Sequence, residues 1–202
     1  MPDWDEESPK LRQNLRAVLR SIREAAQQRE SLSLEVIRTW HRDTMRGLGV
    51  PNKKWIGRFR GEKGPETIEV RIGSHQGTPA DQVAAELDVF SARLTRVMAR
   101  MDAAILPDSD LTADQLEAVL NVCAWAHSEW VRIHSFANDN GRIARLLANA
   151  IALRYGLPPF VRLRPRPNHG YAHAAEASMR GDHRPLTLVF RRMLDACIDE
   201  NT

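Results

Sequence analysis

The pattern that most constrains this chain is the interval between its apolar residues, which is three or four almost everywhere and two in a single place. Val83, Leu87, Phe90, Leu94, Val97 and Met101 step by four and three, so all lie on one stripe of a helix after the Thr78-Pro79 start signal. Leu11, Leu15, Val18, Leu19 and Ile22 do the same from Pro9 to about Arg29. A third helix opens at the N-cap Ser33 with Leu34, Ile37, His41 and Met45, and stops at the Gly47-Leu48-Gly49-Val50-Pro51 breaker. Thr112-Ala113-Asp114-Gln115 reads as a capping box for a helix running to about Ile133, with Leu116, Val119, Leu120, Cys123 and His127 on its inner face. Another runs from Gly141-Arg142 to Tyr155-Gly156, and Gly170–Ile198 reads as two short helices broken at Gly181-Asp182. Only Ile68, Val70 and Ile72 alternate with polar residues, after a Gly61–Pro65 turn, which predicts one short β-hairpin. The fold class is therefore all-α with one short hairpin.

At 202 residues, with 43% hydrophobic and 27% charged residues, the chain suits one cored domain. It reads as an N-terminal helix over residues 1–30 and a compact unit over 31–202. No apolar run approaches the roughly 20 residues of a membrane span. The start, Met1–Glu7, is acidic and lacks a secretory pattern, so cytoplasmic folding is the expectation. Cys123 and Cys197 fall on apolar helical faces and read as small buried hydrophobes. Charge is uneven: from Val131 to Leu194 there are eleven arginines, no lysine and three acids, a net of +8. Arginine in place of lysine favours forked recognition of phosphate or carboxylate, and charge alone leaves nucleic acid open.

The chemistry concentrates in His134-Ser135-Phe136-Ala137-Asn138-Asp139-Asn140-Gly141-Arg142-Ile143-Ala144-Arg145, between two long helices. A loop with Asn and Gly before a helix can turn backbone N–H groups toward one point and add the positive end of the helix dipole. Arg142 and Arg145 share a face of the first turn and can grip phosphate oxygens. His134 faces the same cradle and suits proton transfer near neutrality. His169 and His173 have i, i+4 spacing that metal sites use, without an evident third ligand.

The spacing His134-x-Phe136-x-x-x-Asn140-Gly141-Arg142-x-x-Arg145 resembles the signature of the Fic family of AMP transferases. Gly57-Arg58-Phe59-Arg60 with Val70-Arg71-Ile72-Gly73 is similar to that family's flap, and Tyr171–Ala175 with Arg180–Leu186 to its closing segment. The resemblance implies a protein adenylyltransferase that moves AMP from ATP, with Mg2+, onto a Ser, Thr or Tyr hydroxyl of another protein; the alternative is a Fic-fold protein that binds nucleotide or a partner without turnover. It implies that His134 is the general base and Phe136 a plug into the core. Asn140, the amides around Gly141, and Arg142 would hold phosphates. Arg145 would contact the γ-phosphate or pair with an inhibitory glutamate. Ile72, Gly73 and Ser74 would dock the target's backbone. Nucleic acid and membrane are not among the partners implied.

Three positions depart from the family pattern. Ser135 replaces proline. Asn138 stands where an acidic magnesium ligand is usual, and Asp139 where glycine is usual. Asp139 either repels the phosphates or takes over metal ligation from Asn138, and a degraded site is the competing account. The inhibitory pattern of many relatives, a hydroxyl residue four before a Glu-(Gly/Asn) pair, is incomplete both at Ser31–Val36 and at Ala196–Asn201. That leaves room for a separate small inhibitory partner, as in toxin–antitoxin relatives.

Overall fold

The computed structural model describes residues 8–73, 75–168 and 170–200. Seven α-helices are found there: α1 (Pro9–Gln27), α2 (Leu34–Thr44), α3 (Val83–Ala104), α4 (Ala113–Ile133), α5 (Asn140–Arg154), α6 (Tyr171–Met179) and α7 (Arg184–Asp199). One hairpin joins β1 (Arg71–Ile72) to β2 (His75–Gln76), with Arg71 opposite Gln76 and Ile72 opposite His75. The fold class is thus the one expected.

The caps explain the boundaries. Ser8 and Ser33 accept from the backbone N–H groups of Leu11 and Val36 at the starts of α1 and α2. Thr112 and Gln115 close both halves of the capping box at the start of α4. Gly156, at φ +78°, takes the left-handed turn just after α5.

α5 organises the rest. Its residues from Ile143 to Ala152 are buried on every side, since α4 packs along it while α1 and α2 cover another face. Ala144, Ala148, Ala150 and Ala152 keep the helix slim enough for such neighbours. The one amide between Ile143 and Ala152, Asn149, exchanges two hydrogen bonds with the backbone of Val161, at 2.8 and 2.9 Å. α6 and α7 pack on each other and on α4, and α3 lies against α4. Cys123 is fully buried and Cys197 partly buried, and neither is in a disulfide.

Two expectations need correction. The hairpin lies later than the alternation of Ile68, Val70 and Ile72 suggested: its paired strands are Arg71–Ile72 and His75–Gln76, and Gly61–Pro65 forms an irregular loop instead. The reason is that Ile68 and Val70 give their carbonyls to Arg60 and Gly77 individually and enter no ladder. Thr78 does not cap α3; a 3-10 turn over Ala80–Gln82 intervenes, with no side-chain cap.

Candidate functional site

The loop from His134 to Asp139 is held by its own side chains. Phe136 is fully buried and stacks on His41 at 3.9 Å between centroids, with Phe59 at 4.9 Å and Trp130 at 5.8 Å. Its backbone forms an isolated bridge with Phe59. Asn140, 1% exposed, closes the turn: its Oδ1 accepts from the Phe136 N–H at 2.9 Å and its Nδ2 donates to the Phe136 carbonyl at 2.8 Å. The Asn140 side chain is therefore spent on loop shape. What this segment offers an anion is the start of α5, where the first N–H groups have no intrahelical acceptor.

Asp139 stands at the N-cap of α5 with φ +64°, the left-handed conformation that glycine adopts freely and aspartate tolerates. Its carboxylate forms a buried ion pair with the Arg142 Nε one turn on. Arg145, also buried, donates to the Leu163 carbonyl at 3.1 Å. A Cβ added at Gly141 would sit 3.4 Å from the Arg145 guanidinium.

His134 ends α4 in the left-handed conformation, φ +54°. Its Nδ1 lies 3.2 Å from the Val131 carbonyl, so Nδ1 donates and Nε2 is left as the acceptor. Burial, with the nearby Arg60 charge adding to it, lowers its pKa to about 4 despite the Val131 bond. The imidazole is therefore neutral at pH 7.

These groups face a cleft of about 780 Å³, a size usual for nucleotide-sized ligands. Its walls bring together His134, Asn138, Asp139, Asn140, Gly141, Arg142 and Arg145 from the loop, and Ile72 and Gly73 from the hairpin. Ser74 and His169 lie outside the described residues; His173 is exposed on α6. The hairpin is strapped across the cleft by His75, whose Nε2 lies 2.9 Å from Glu176 on α6, and Arg180 joins both.

The Fic/DOC family pattern matches residues 31–152 of this chain, a stretch that contains the loop. The chain belongs to the Fic/DOC family. It is similar to the protein adenylyltransferase Fic of Nematostella vectensis, 27% identical over 173 residues, covering 86% of this chain and 35% of that protein. It is also similar to the Drosophila melanogaster protein of the same name, 35% identical over 81 residues, or 40% of this chain and 15% of that one. The chain thus spans about a third or less of these curated relatives. Among solved structures, Fic-1 from C. elegans superposes with a TM-score of 0.67 at 23% identity, over 93% of this chain and 48% of that one. A Fic domain containing signaling protein from Bacteroides thetaiotaomicron gives 0.63 at 18% identity, over 92% and 69%. These two likenesses concern the fold alone.

Within this Fic fold, several lining groups had no strong sequence signal. His127 is buried in α4 and its Nε2 meets the Tyr171 hydroxyl at 2.6 Å, while Arg166 lies over the Tyr171 ring. All three line the cleft. His127 carried only its place on an apolar face, and Arg166 only its membership of the arginine-rich segment. Acids meet part of that segment's charge: Arg132 pairs with Glu86 and Glu129, Arg154 with Asp102, Arg180 with Glu176 and Arg191 with Glu117. Of the two glutamates considered as inhibitors, Glu35 pairs with Arg38 and Arg42 across α2, and Glu200 is exposed after α7. Asn201 lies outside the described residues. Among the described residues, no cluster of three His, Cys, Asp or Glu suits a metal ion, and no helix is long and apolar enough to cross a membrane.

Proposed function

We propose that this chain is a protein adenylyltransferase, moving AMP from ATP to a Ser, Thr or Tyr hydroxyl of another protein. The supporting observation is the convergence in one cleft of a neutral imidazole, two arginines and a helix start, under a hairpin with a free edge. In this reading the target hydroxyl oxygen attacks the α-phosphorus and a new O–P bond forms. The bond from that phosphorus to the α,β-bridging oxygen breaks, and pyrophosphate leaves with the electron pair. His134 Nε2 takes the hydroxyl proton. Phosphoryl chemistry of this kind needs positioning and charge neutralisation more than covalent help, which Arg142, Arg145 and the start of α5 would supply. The target's backbone would pair with the β1 edge at Ile72 and Gly73.

Magnesium would reach the site with the triphosphate and neutralise part of its charge. Asn138 offers an amide oxygen for it, and Asp139 a carboxylate once released from Arg142. We take residues 31–202 as the Fic unit with α1 laid against α5, and a cytoplasmic setting with restraint, where needed, by a separate small partner. The burial of Arg142 and Arg145 in the wall of a cleft, and not on an open face, argues against a nucleic-acid module.

A second reading, nucleotide binding without turnover, is favoured by one observation: the Asp139 carboxylate already occupies Arg142. ATP labelled at the α-phosphate separates the two. Incubation with the protein and candidate targets should leave label on protein in the wild type and not in His134→Ala, general-base loss typically costing about 10²–10⁴ in rate. Protein left unlabelled by the wild type, or equal labelling by His134→Ala, would refute the proposal.

A further inference from the structure

A buried guanidinium is costly unless its five N–H groups find acceptors. Arg60 is 1% exposed, and the carboxylate beside it belongs to exposed Glu69, 3.8 Å from Nη1. Main-chain carbonyls surround the rest of the group. Nε donates to His134 at 2.7 Å, and Nη2 to Ile133 at 3.1 Å and to Thr78 at 2.6 Å. Nη1 donates to Ile68 at 2.9 Å, and the Arg60 backbone N–H to the Ser135 carbonyl at 2.7 Å.

These acceptors come from two places. Ile133 and His134 are the last carbonyls of α4, which lack intrahelical donors and form the negative pole of that helix. Ile68 and Thr78 are the two roots of the hairpin. The same roots press on His134 from the other side: the Gly77 N–H donates to Val70 at 3.0 Å, and a Cβ built on Gly77 would sit 2.6 Å from Val70 Cγ2 and 3.4 Å from His134 Cβ. Arg60 does not line the cleft. It reaches the site only through the backbone it grips.

We propose that Arg60 is a positioning residue: one guanidinium, gripping the end of α4 and both roots of the hairpin, sets the separation between the His134 imidazole and the β1 edge. This rests on the reading of His134 as the base. The fork matters as much as the charge, because an ammonium on a flexible stem cannot span carbonyls from three segments in fixed directions.

The test compares Arg60→Lys, which keeps the charge and loses the fork, with the wild type. Transfer kcat should fall roughly 10²-fold, the cost of about an ångström of misplacement. ATP affinity by calorimetry should stay within about threefold, separating positioning from loss of binding. Amide exchange should rise together in residues 68–78 and 133–136 and stay unchanged in α6 and α7, with a shift of the His134 imidazole proton resonance. Gly77→Ala pushes the hairpin from the opposite side and should give the same loss of kcat at unchanged ATP affinity. Unchanged exchange and resonance in Arg60→Lys would overturn the proposal, as would a parallel fall in ATP affinity. Exchange and resonance need no turnover, so they judge Arg60 even if labelled ATP refutes AMP transfer.

Discussion

Replacing Asp139 with asparagine removes one charge from the cradle and keeps both its size and its tolerance of φ +64°. In the unliganded protein the carboxylate is fully buried and Arg142 nearly so, and breaking such a buried pair costs about 3–5 kcal/mol. At roughly 2–4 °C per kcal/mol for a chain of this size, Tm should fall by about 6–20 °C. With ATP the sign reverses. A triphosphate entering the wild-type cradle has to displace a charge-assisted hydrogen bond worth about 1.5–3 kcal/mol, and in Asp139→Asn it does not. Affinity should therefore rise roughly ten- to a hundredfold. The gain should shrink at high magnesium, because the cation screens the same repulsion. Titration calorimetry across a magnesium series, with melting curves with and without ATP, reads both effects. Weaker ATP binding by Asp139→Asn at every magnesium concentration would refute the reasoning and make the carboxylate a metal ligand.

Three further outcomes follow from the geometry. Arg142→Ala should weaken ATP binding by about ten- to a hundredfold, from loss of forked charge-assisted bonds, measured by the same calorimetry. Phe136→Ala should cost about 3–5 kcal/mol in urea unfolding, because the ring fills a space walled by His41, Phe59 and Trp130. His41 and His127 are buried neutral with pKa values lowered to about 3, so an unfolded chain binds protons below pH 6.5 that the folded one refuses. Stability is full above that pH and is lost as pH falls toward 3, at about 1.4 kcal/mol per pH unit for each histidine; urea midpoints at pH 7 and 5 should show it, and equal midpoints would contradict the burial.

What the sequence disclosed is what local rules encode. Ser33, the Thr112/Gln115 box and Gly156 announce helix ends through neighbours a few residues away, so those ends were legible, whereas the start of α3 was set by a 3-10 turn that Thr78 does not announce. The loop was legible because its groups are contiguous and fixed in spacing. Arg60 was not, since its acceptors lie 8 to 74 residues off and nothing near Arg60 says its head is buried. The hairpin was misplaced because Ile68 and Val70 alternate like strand residues while their carbonyls are claimed one by one by Arg60 and Gly77. Asn140 looked like a phosphate ligand for the same reason that it closes the turn: a short amide can serve either use.

The anchoring of Phe136 bears on the timing of ligand capture. Its ring lies between residues of α2, α4 and the Phe59 segment, its backbone bridges to Phe59, and Asn140 ties the turn from the other side. Three separate stretches of chain thus hold the cradle in shape before any nucleotide arrives. The ordering entropy is spent during folding and not at the moment of encounter. On the proposed function, capture at such a surface would proceed as a collision with a finished mould, and the step left to the molecule would be the exchange at Arg142, where the Asp139 carboxylate gives way to a phosphate.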